Sequence, residues 1–369
     1  MSPLQELRLL LRPAGGGVYL VSSGRTEQEE LQRRLYQVQN SDAVQGAFET
    51  NLARIAHARV GILAIPSDVG AGYVRGANLG PQAIRTELLR NVNWPSECES
   101  KGIVDLGDVF VVPQLLHDSM LSDAQRHATQ DALYSQVPDG IRRTLPVSPL
   151  SIAERALDLI RATNPNLKMF AIGGDHSCAW PVTASLAKFH DDFGIVQPDA
   201  HTDLLHERLG VKYCFATWSY HANELLGRNG KLTQVGIRAT RYPKDHWESQ
   251  LGVKQFWANE CVRNPKDALD AMIDHVRSTK VKSIYFSNDI DGTDSSHADA
   301  TGTPEPAGLE PEFVLELIDR LGNEIGLIAG DIMEVAPLAA RTPGGKERTV
   351  ELAARYARAT LDAMVGPQS

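Results

Sequence analysis

Eight short apolar or β-branched runs, most of them followed at once by Gly, Pro or an acidic residue, constrain the fold of this chain more than any other feature. They occupy residues 60–66, 103–109, 168–174, 193–199, 232–238, 253–258, 283–289 and 326–332. Amphipathic stretches of helical period lie between most of them. Residues 151–154 (SIAE) read as a capping box that opens a helix to about Ala162. Asn264 followed by Pro265 supplies an N-cap and a first-turn proline for a helix to about Ser278. Residues 311–321 and 346–364 read as two further helices. Continuous apolar strands alternating with helices require a sheet covered on both faces. The expectation is one α/β fold, a three-layer α/β/α sandwich around a mostly parallel eight-stranded sheet.

Two segments stand outside that rhythm. Residues 1–56 form an N-terminal extension with a glycine break at 15–17 and a polar helical stretch at 26–45, ahead of the main domain at 57–369. Residues 114–148 are polar and proline-punctuated and show no strand pattern, as a peripheral insertion would. Both read as additions at the periphery, usable for oligomer contacts or as a lid.

Composition narrows the partners. A net charge of −9 with no Lys/Arg stripe argues against nucleic acid or an acidic membrane. Cys98, Cys178, Cys214 and Cys261 form no CxxC pair, so a thiolate zinc site or a disulfide framework is not expected. No apolar run reaches the length of a membrane span, and the N-terminus lacks the charged region and long apolar core of a secretion signal. These features predict a cytoplasmic protein.

Three acidic and histidine clusters fall at the ends of expected strands: Asp175 and His176 within GGDHS at 173–177, Asp199, His201 and Asp203 within DAHTD at 199–203, and Asp289 and Asp291 within DID at 289–291. In an open parallel sheet, ligand sites form beyond the carboxyl ends of the strands, so clusters far apart in sequence can meet there. Residues i, i+2 and i+4 of an extended segment point the same way, which aims Asp199, His201 and Asp203 into one pocket. Oxygen-rich ligands with some imidazole and no thiolate suit Mn²⁺, with Ni²⁺ or Co²⁺ as alternatives. Four carboxylates in one pocket repel one another, and two divalent ions would neutralise them. Carboxylates bridge such ion pairs, and water held between them becomes a nucleophile near neutral pH. The glycine-rich residues 70–76 fail as a dinucleotide fingerprint, since the last glycine is one position late and no acid stands near position 90. No G-x-S-x-G elbow supports a serine triad.

With these motifs in this order, the chain resembles the ureohydrolase family of arginase, agmatinase, guanidinobutyrase and formimidoylglutamase, from about residue 60 to the C-terminus. Supporting matches are Arg75 and Gly76 with GPQAIR at 80–85, DLGD at 105–108, TGTP at 301–304 and DIMEV at 331–335. The resemblance implies that His176 and Asp203 complete one metal site and His201 and Asp291 the other, with Asp199 and Asp289 bridging. It makes Asp175 an orienting partner and Glu334 the carboxylate that pairs with the substrate's guanidinium, a fork-to-carboxylate match. The implied activity is hydrolysis of a small guanidino compound to urea and an amine, with a metal-bridging hydroxide as attacking group, in a homotrimer or homohexamer.

Two departures bear on the substrate. Phe215 stands where many family members have a histidine thought to shuttle protons, so His206, His221 or solvent would take that role. Tyr213, Phe215, Trp218 and Tyr220 offer an aromatic wall near the substrate. After the GIR at 236–238 the chain has Ala239, Thr240 and Arg241 where arginase-like enzymes carry acids. Arg241 should repel a cationic tail and favour a neutral or anionic one, as in a guanidino acid. The alternatives are a formimino or amidine hydrolase, or a catalytically silent metal-binding relative.

Overall fold

The computed structural model describes residues 1–18 and 24–366. The eight expected runs all form strands, and a ninth joins them. In chain order they are β1 (Leu11–Arg12), β2 (Val60–Ile65), β3 (Ile103–Val109), β4 (Lys168–Gly173), β5 (Phe193–Pro198), β6 (Leu232–Ile237), β7 (Lys254–Trp257), β8 (Ser283–Asp289) and β9 (Leu327–Met333). They lie in the order β1-β3-β2-β4-β9-β8-β5-β6-β7. Every pairing among β2 to β9 is parallel, and only β1 runs antiparallel, against β3.

The parallel strands alternate between two apolar layers. Met169 and Ala171 of β4 face one, while Phe170 and Ile172 face the other. The first layer is closed by helices Pro149–Thr163, Ala179–Phe189 and Trp218–Leu226, the second by Gly80–Leu88, Pro265–Ser278, Pro311–Glu324 and Gly345–Val365. Burial on both faces is why these strands read as unbroken apolar runs. Each fully buried Leu, Ile or Phe in the two layers contributes about 1.5–3 kcal/mol.

Helix starts differ from expectation in one place. The helix assigned to a capping box at 151–154 begins earlier, at Pro149 after Ser148. A proline in the first turn sets that start, and the Ser151 hydroxyl instead accepts the Asp118 N–H at 3.0 Å. Asn264 does precede a helix at Pro265, but its side chain makes no capping bond.

The N-terminal extension is built into the body. Leu7, Leu10 and Leu11 are fully buried, and Phe48, Leu52 and Ile55 join the same layer. β1 pairs Leu11 with Val109 and Arg12 with Asp108, covering an otherwise open sheet edge. The polar stretch at 26–45 is not one helix: Arg25–Leu35 and Val44–Ala53 are separated by a short turn. The insertion at 114–148 contains two helices, Asp123–Leu133 and the short Asp139–Arg142, and no strand. Its two ends are tied by Asp118, whose carboxylate accepts the Ser148 N–H at 2.8 Å.

Candidate metal centre

The four central strands β4, β9, β8 and β5 are neighbours, and their carboxyl ends carry the three clusters and Glu334. The chain crosses from β4 to β5 over two strands inserted later in sequence. A topological switch of this kind opens a crevice at the sheet edge.

After β4 the backbone presses against residue 67, where a Cβ on Gly174 would stand 1.9 Å from the Ser67 carbonyl oxygen. Only glycine fits there. Asp175 then caps the turn His176–Cys178, accepting the Ser177 N–H at 2.8 Å and the Gly70 N–H at 3.0 Å. Its carboxylate thus joins this turn to the loop at Gly70. The turn swings His176 inward, with Nδ1 3.0 Å from Asp289 Oδ2, 3.2 Å from Asp199 Oδ2 and 3.4 Å from Asp203 Oδ2. Its other nitrogen lies 3.1 Å from the Ser287 hydroxyl, which donates to Asp331 at 2.9 Å. The Tyr285 hydroxyl donates to the same carboxylate. Such outer partners fix the ring of a ligating histidine.

Beyond β5, Asp199 accepts the His201 N–H on Oδ1 at 2.6 Å and the Gln197 amide on Oδ2 at 2.7 Å. His201 Nδ1 lies 3.1 Å from Asp291 Oδ2 and 3.7 Å from Asp199 Oδ1. Beyond β8, Asp289 accepts the Asp291 N–H at 2.9 Å, and Asp291 accepts the Ala200 N–H at 3.1 Å and the Thr303 hydroxyl at 3.1 Å. Two groups result, His176/Asp199/Asp289 and Asp199/His201/Asp291, each with its ligand atoms within 4.8 Å of one another. Asp199 belongs to both, while Asp289 lies in the first group and Asp203 outside either.

The electrostatics of the pocket suit cations. Burial, and then the neighbouring carboxylates, push Asp289 and Asp203 well above the usual carboxylate range. Burial would lower the imidazoles, but their hydrogen bonds and charge interactions with Asp199, Asp289 and Asp291 outweigh it, raising His176 well above its ordinary value and His201 to about 12. The carboxylates thus draw positive charge into the pocket. Divalent ions would supply it without the protons, so the residues present fit a metal pair.

Glu334 follows β9 with φ of 62°, a left-handed conformation that costs a non-glycine residue about 1–3 kcal/mol. Asp203 is held likewise at φ of 51°. The Glu334 N–H donates to Gly174 O at 2.8 Å, and its Oε1 accepts the His176 N–H at 2.9 Å. The guanidinium-pairing candidate is therefore tied directly to the turn bearing a metal-capable histidine. Burial, and then Asp175, raise Glu334 well above its ordinary range.

Several expected residues lie elsewhere. Trp218, assigned to the substrate's aromatic wall, is fully buried; its ring lies 4.5 Å from His176 and its indole N–H donates to Asp203 at 3.1 Å. It backs His176 and Asp203 from the first turn of the helix Trp218–Leu226. Tyr213 is buried and stacked on Trp180. His221 is buried, with Nε2 3.1 Å from the carbonyls of His206 and Lys212, so it ties the loop. His206 is exposed and edge-on to Tyr220. Arg241 is exposed on the loop after β6.

Phe215 does line a cleft of about 520 Å³, together with Val69, Tyr73, Leu116, Met120 and Arg208. The cleft adjoins the metal pocket through Gly70, whose N–H donates to Asp175 and whose carbonyl accepts the Phe215 N–H. Arg208 lies over the Phe215 ring at 5.0 Å. It is the only charged residue lining the cleft among those described, and no carboxylate lines it.

Sequence reasoning passed over Arg238. Its guanidinium donates to the carbonyls of Gly236, Asp291, Gly292, Thr293, Glu305 and Pro306, clamping the turn that bears Asp291. The signal was available as an arginine at the end of an apolar strand.

An open parallel sheet whose central edge gathers two metal-capable groups around a shared carboxylate has the layout of a binuclear metal hydrolase. The chain belongs to the arginase family, whose model matches residues 58–362. It is an enzyme hydrolysing C–N bonds of linear amidines, a ureohydrolase. Mitochondrial agmatinase of Gallus gallus is 31% identical over 283 residues, covering 74% of this chain and 73% of that protein. Mitochondrial guanidino acid hydrolase of Homo sapiens is also 31% identical over 283 residues, covering 74% and 70%. Among solved structures, proclavaminate amidinohydrolase of Streptomyces clavuligerus superposes with a TM-score of 0.62 at 26% identity, over 84% of this chain and 92% of that one.

Proposed function

We propose that this ureohydrolase acts on a guanidino acid with the aid of two Mn²⁺ ions, releasing urea and an amino acid. The observation that carries the substrate assignment is the cleft beside the metal pocket, apolar along much of its wall, free of carboxylates and charged only by Arg208. A cationic tail such as that of arginine or agmatine would find no counter-charge there, whereas a carboxylate would meet a guanidinium already stacked on Phe215. The tail-facing charge is thereby assigned to Arg208 in place of Arg241. Similarity to the human guanidino acid hydrolase and to the guanidinobutyrase of Pseudomonas aeruginosa supports the same reading.

In this proposal His176, Asp199, His201, Asp203, Asp289 and Asp291 hold the ions, with Asp199 shared. The bound pair supplies Lewis acidity and water activated at neutral pH. Glu334 accepts N–H bonds from the guanidinium and fixes its plane, while Asp175 holds the turn that carries His176. Phe215 cannot accept a proton and serves as a flat wall that excludes water. The proposal includes a homotrimer or homohexamer in the cytoplasm, where the four unpaired cysteines stay reduced.

The test is urea release from arginine, agmatine, guanidinoacetate, 3-guanidinopropionate and 4-guanidinobutyrate by protein reconstituted separately with Mn²⁺, Ni²⁺ and Co²⁺. Fastest turnover of one guanidino acid with Mn²⁺ is expected. Faster turnover of agmatine, or no urea despite two bound ions, would overturn the substrate assignment.

A further inference from the structure

Parallel strands buried on both faces are normally lined by Val, Ile and Leu, yet β5, β6 and β7 each bury a glutamine at one level. Gln197 is paired in register with Gln234, and Gln234 with Gln255. All three are fully buried. Their side chains form a single hydrogen-bonded row across the sheet. The Trp257 indole N–H donates to Gln255 at 2.9 Å, Gln255 donates to Gln234 at 2.8 Å, and Gln234 donates to Gln197 at 2.9 Å. Gln197 donates in turn to Asp199 Oδ2 at 2.7 Å.

The direction of the row follows from its surroundings. An indole nitrogen only donates, so Gln255 must present its oxygen to Trp257. Gln234 also donates to the Thr202 carbonyl at 2.6 Å, and a carbonyl only accepts. Gln197 takes the Ser219 hydroxyl on its oxygen at 2.8 Å and faces a carboxylate with its nitrogen. Flipping any one amide would set oxygen against oxygen or N–H against N–H. The amide dipoles therefore align, with their donor ends toward Asp199, and hydrogen bonds in such a chain polarise and strengthen one another.

We propose that Gln197, locked by Gln234, Gln255 and Trp257, is a positioning residue that sets the rotamer and donor strength of Asp199 toward the metal pair. The inference rests on the reading of Asp199 as the shared ligand. Oδ1 is held by the His201 N–H and Oδ2 by the Gln197 amide, so each oxygen is turned to one of the two metal-capable groups. Without Gln197, rotation of the carboxylate would lose the sharing. Trp257 makes the outermost strand, three strands away in register from β8, part of the metal site.

The experiment is Mn²⁺ titration calorimetry on full-length Gln197→Met, Gln255→Met and Trp257→Phe, together with thermal unfolding of each metal-free protein. Outer partners of metal ligands typically contribute about 10–100-fold in affinity. Gln197→Met is expected to weaken Mn²⁺ binding by about tenfold or more, and the two remote variants by a smaller factor in the same direction. Trp257→Phe removes only the terminal donor from a half-buried residue, so it decides the matter if a buried variant fails to fold. Wild-type affinity in all folded variants, or a loss confined to metal-free unfolding, would overturn the ladder while leaving the metal site intact. Asp199→Ala separates the two readings: if that variant keeps two ions at wild-type affinity, the metal assignment itself fails and the ladder's role with it.

Discussion

Two buried acidic clusters share this sheet and resolve their charge in opposite ways. At the edge near β3, Arg85 donates through Nε and Nη2 to both oxygens of Asp105 at 2.8 Å each, through Nη1 to Asp108, and to the Gly107 carbonyl at 3.0 Å. Asp108 also accepts the Gly17 N–H at 3.1 Å, which ties the extension to the sheet. That cluster carries its own cation on the neighbouring helix. At the central edge, Asp199, Asp203, Asp289 and Asp291 face two imidazoles, and the nearby Arg238 guanidinium is taken up by backbone carbonyls. The first arrangement is complete as folded and serves structure. The second gathers its carboxylates into two metal-capable groups, which marks it as a candidate site. Carboxylate number alone does not distinguish them; the fixed guanidinium does.

The largest expected effect tests the open cluster. Asp199→Ala should lose ions from both groups and abolish urea release, whereas Asp289→Ala should disturb the first group more than the second. Metal content by plasma emission and urea release measure the two outcomes. Two ions retained in either variant would break the assignment.

The closed cluster predicts a different signature. Arg85→Met strands two buried carboxylates, and breaking a buried pair typically costs about 3–5 kcal/mol. The loss should be the same in chelator and in saturating Mn²⁺, as read by denaturant unfolding. A deficit that metal repairs would mean that the two clusters communicate and that the contrast drawn between them is wrong.

The clusters should also differ with pH. In the metal-free protein burial raises Asp175 and Asp331 to about 6, and Asp289 and Asp203 stand well above the usual carboxylate range. These native groups keep protons that the unfolded chain releases. Their contribution to stability is therefore full below the ordinary carboxylate range and is lost as pH rises through about 6. Ions would compete instead with the protons on the candidate ligands Asp203, Asp289, His176 and His201, so the rise in melting temperature on adding Mn²⁺ should grow from about pH 5.5 to about pH 8. Calorimetric scans at both values test this, and a gain that shrinks with pH would contradict it.

The same contrast explains what the sequence disclosed. The eight parallel strands were legible because burial on both faces leaves uninterrupted apolar runs, and GGDHS, DAHTD and DID were legible because each falls where a strand ends. β1 was not: two residues, Leu11 and Arg12, have no periodicity to detect, and their pairing depends on β3, far along the chain. Trp218 was misplaced because an aromatic residue near a ligand motif reads the same whether it faces the substrate or backs a ligand. The glutamine row was invisible for a related reason. Its meaning lies in register between strands, and a single buried Gln in an apolar run looks like noise until its neighbours carry one at the same level.

Arg208 supplies the mirror image of the metal pocket, a fixed cation with no carboxylate lining its cleft. If an anionic substrate tail completes it as metal completes the acids, Arg208→Ala should raise KM for the preferred guanidino acid with little change in kcat, the mark of uniform binding. This side chain is exposed, and exposed charge pairs contribute about 0.2–1 kcal/mol, so a rise of roughly two- to fivefold is expected. Agmatine, lacking a carboxylate, should be indifferent to the substitution or improve. Steady-state kinetics on both substrates decide the matter. A loss in kcat at unchanged KM would instead place Arg208 in the chemical step, and an equal loss with agmatine would reduce it to a prop for Phe215.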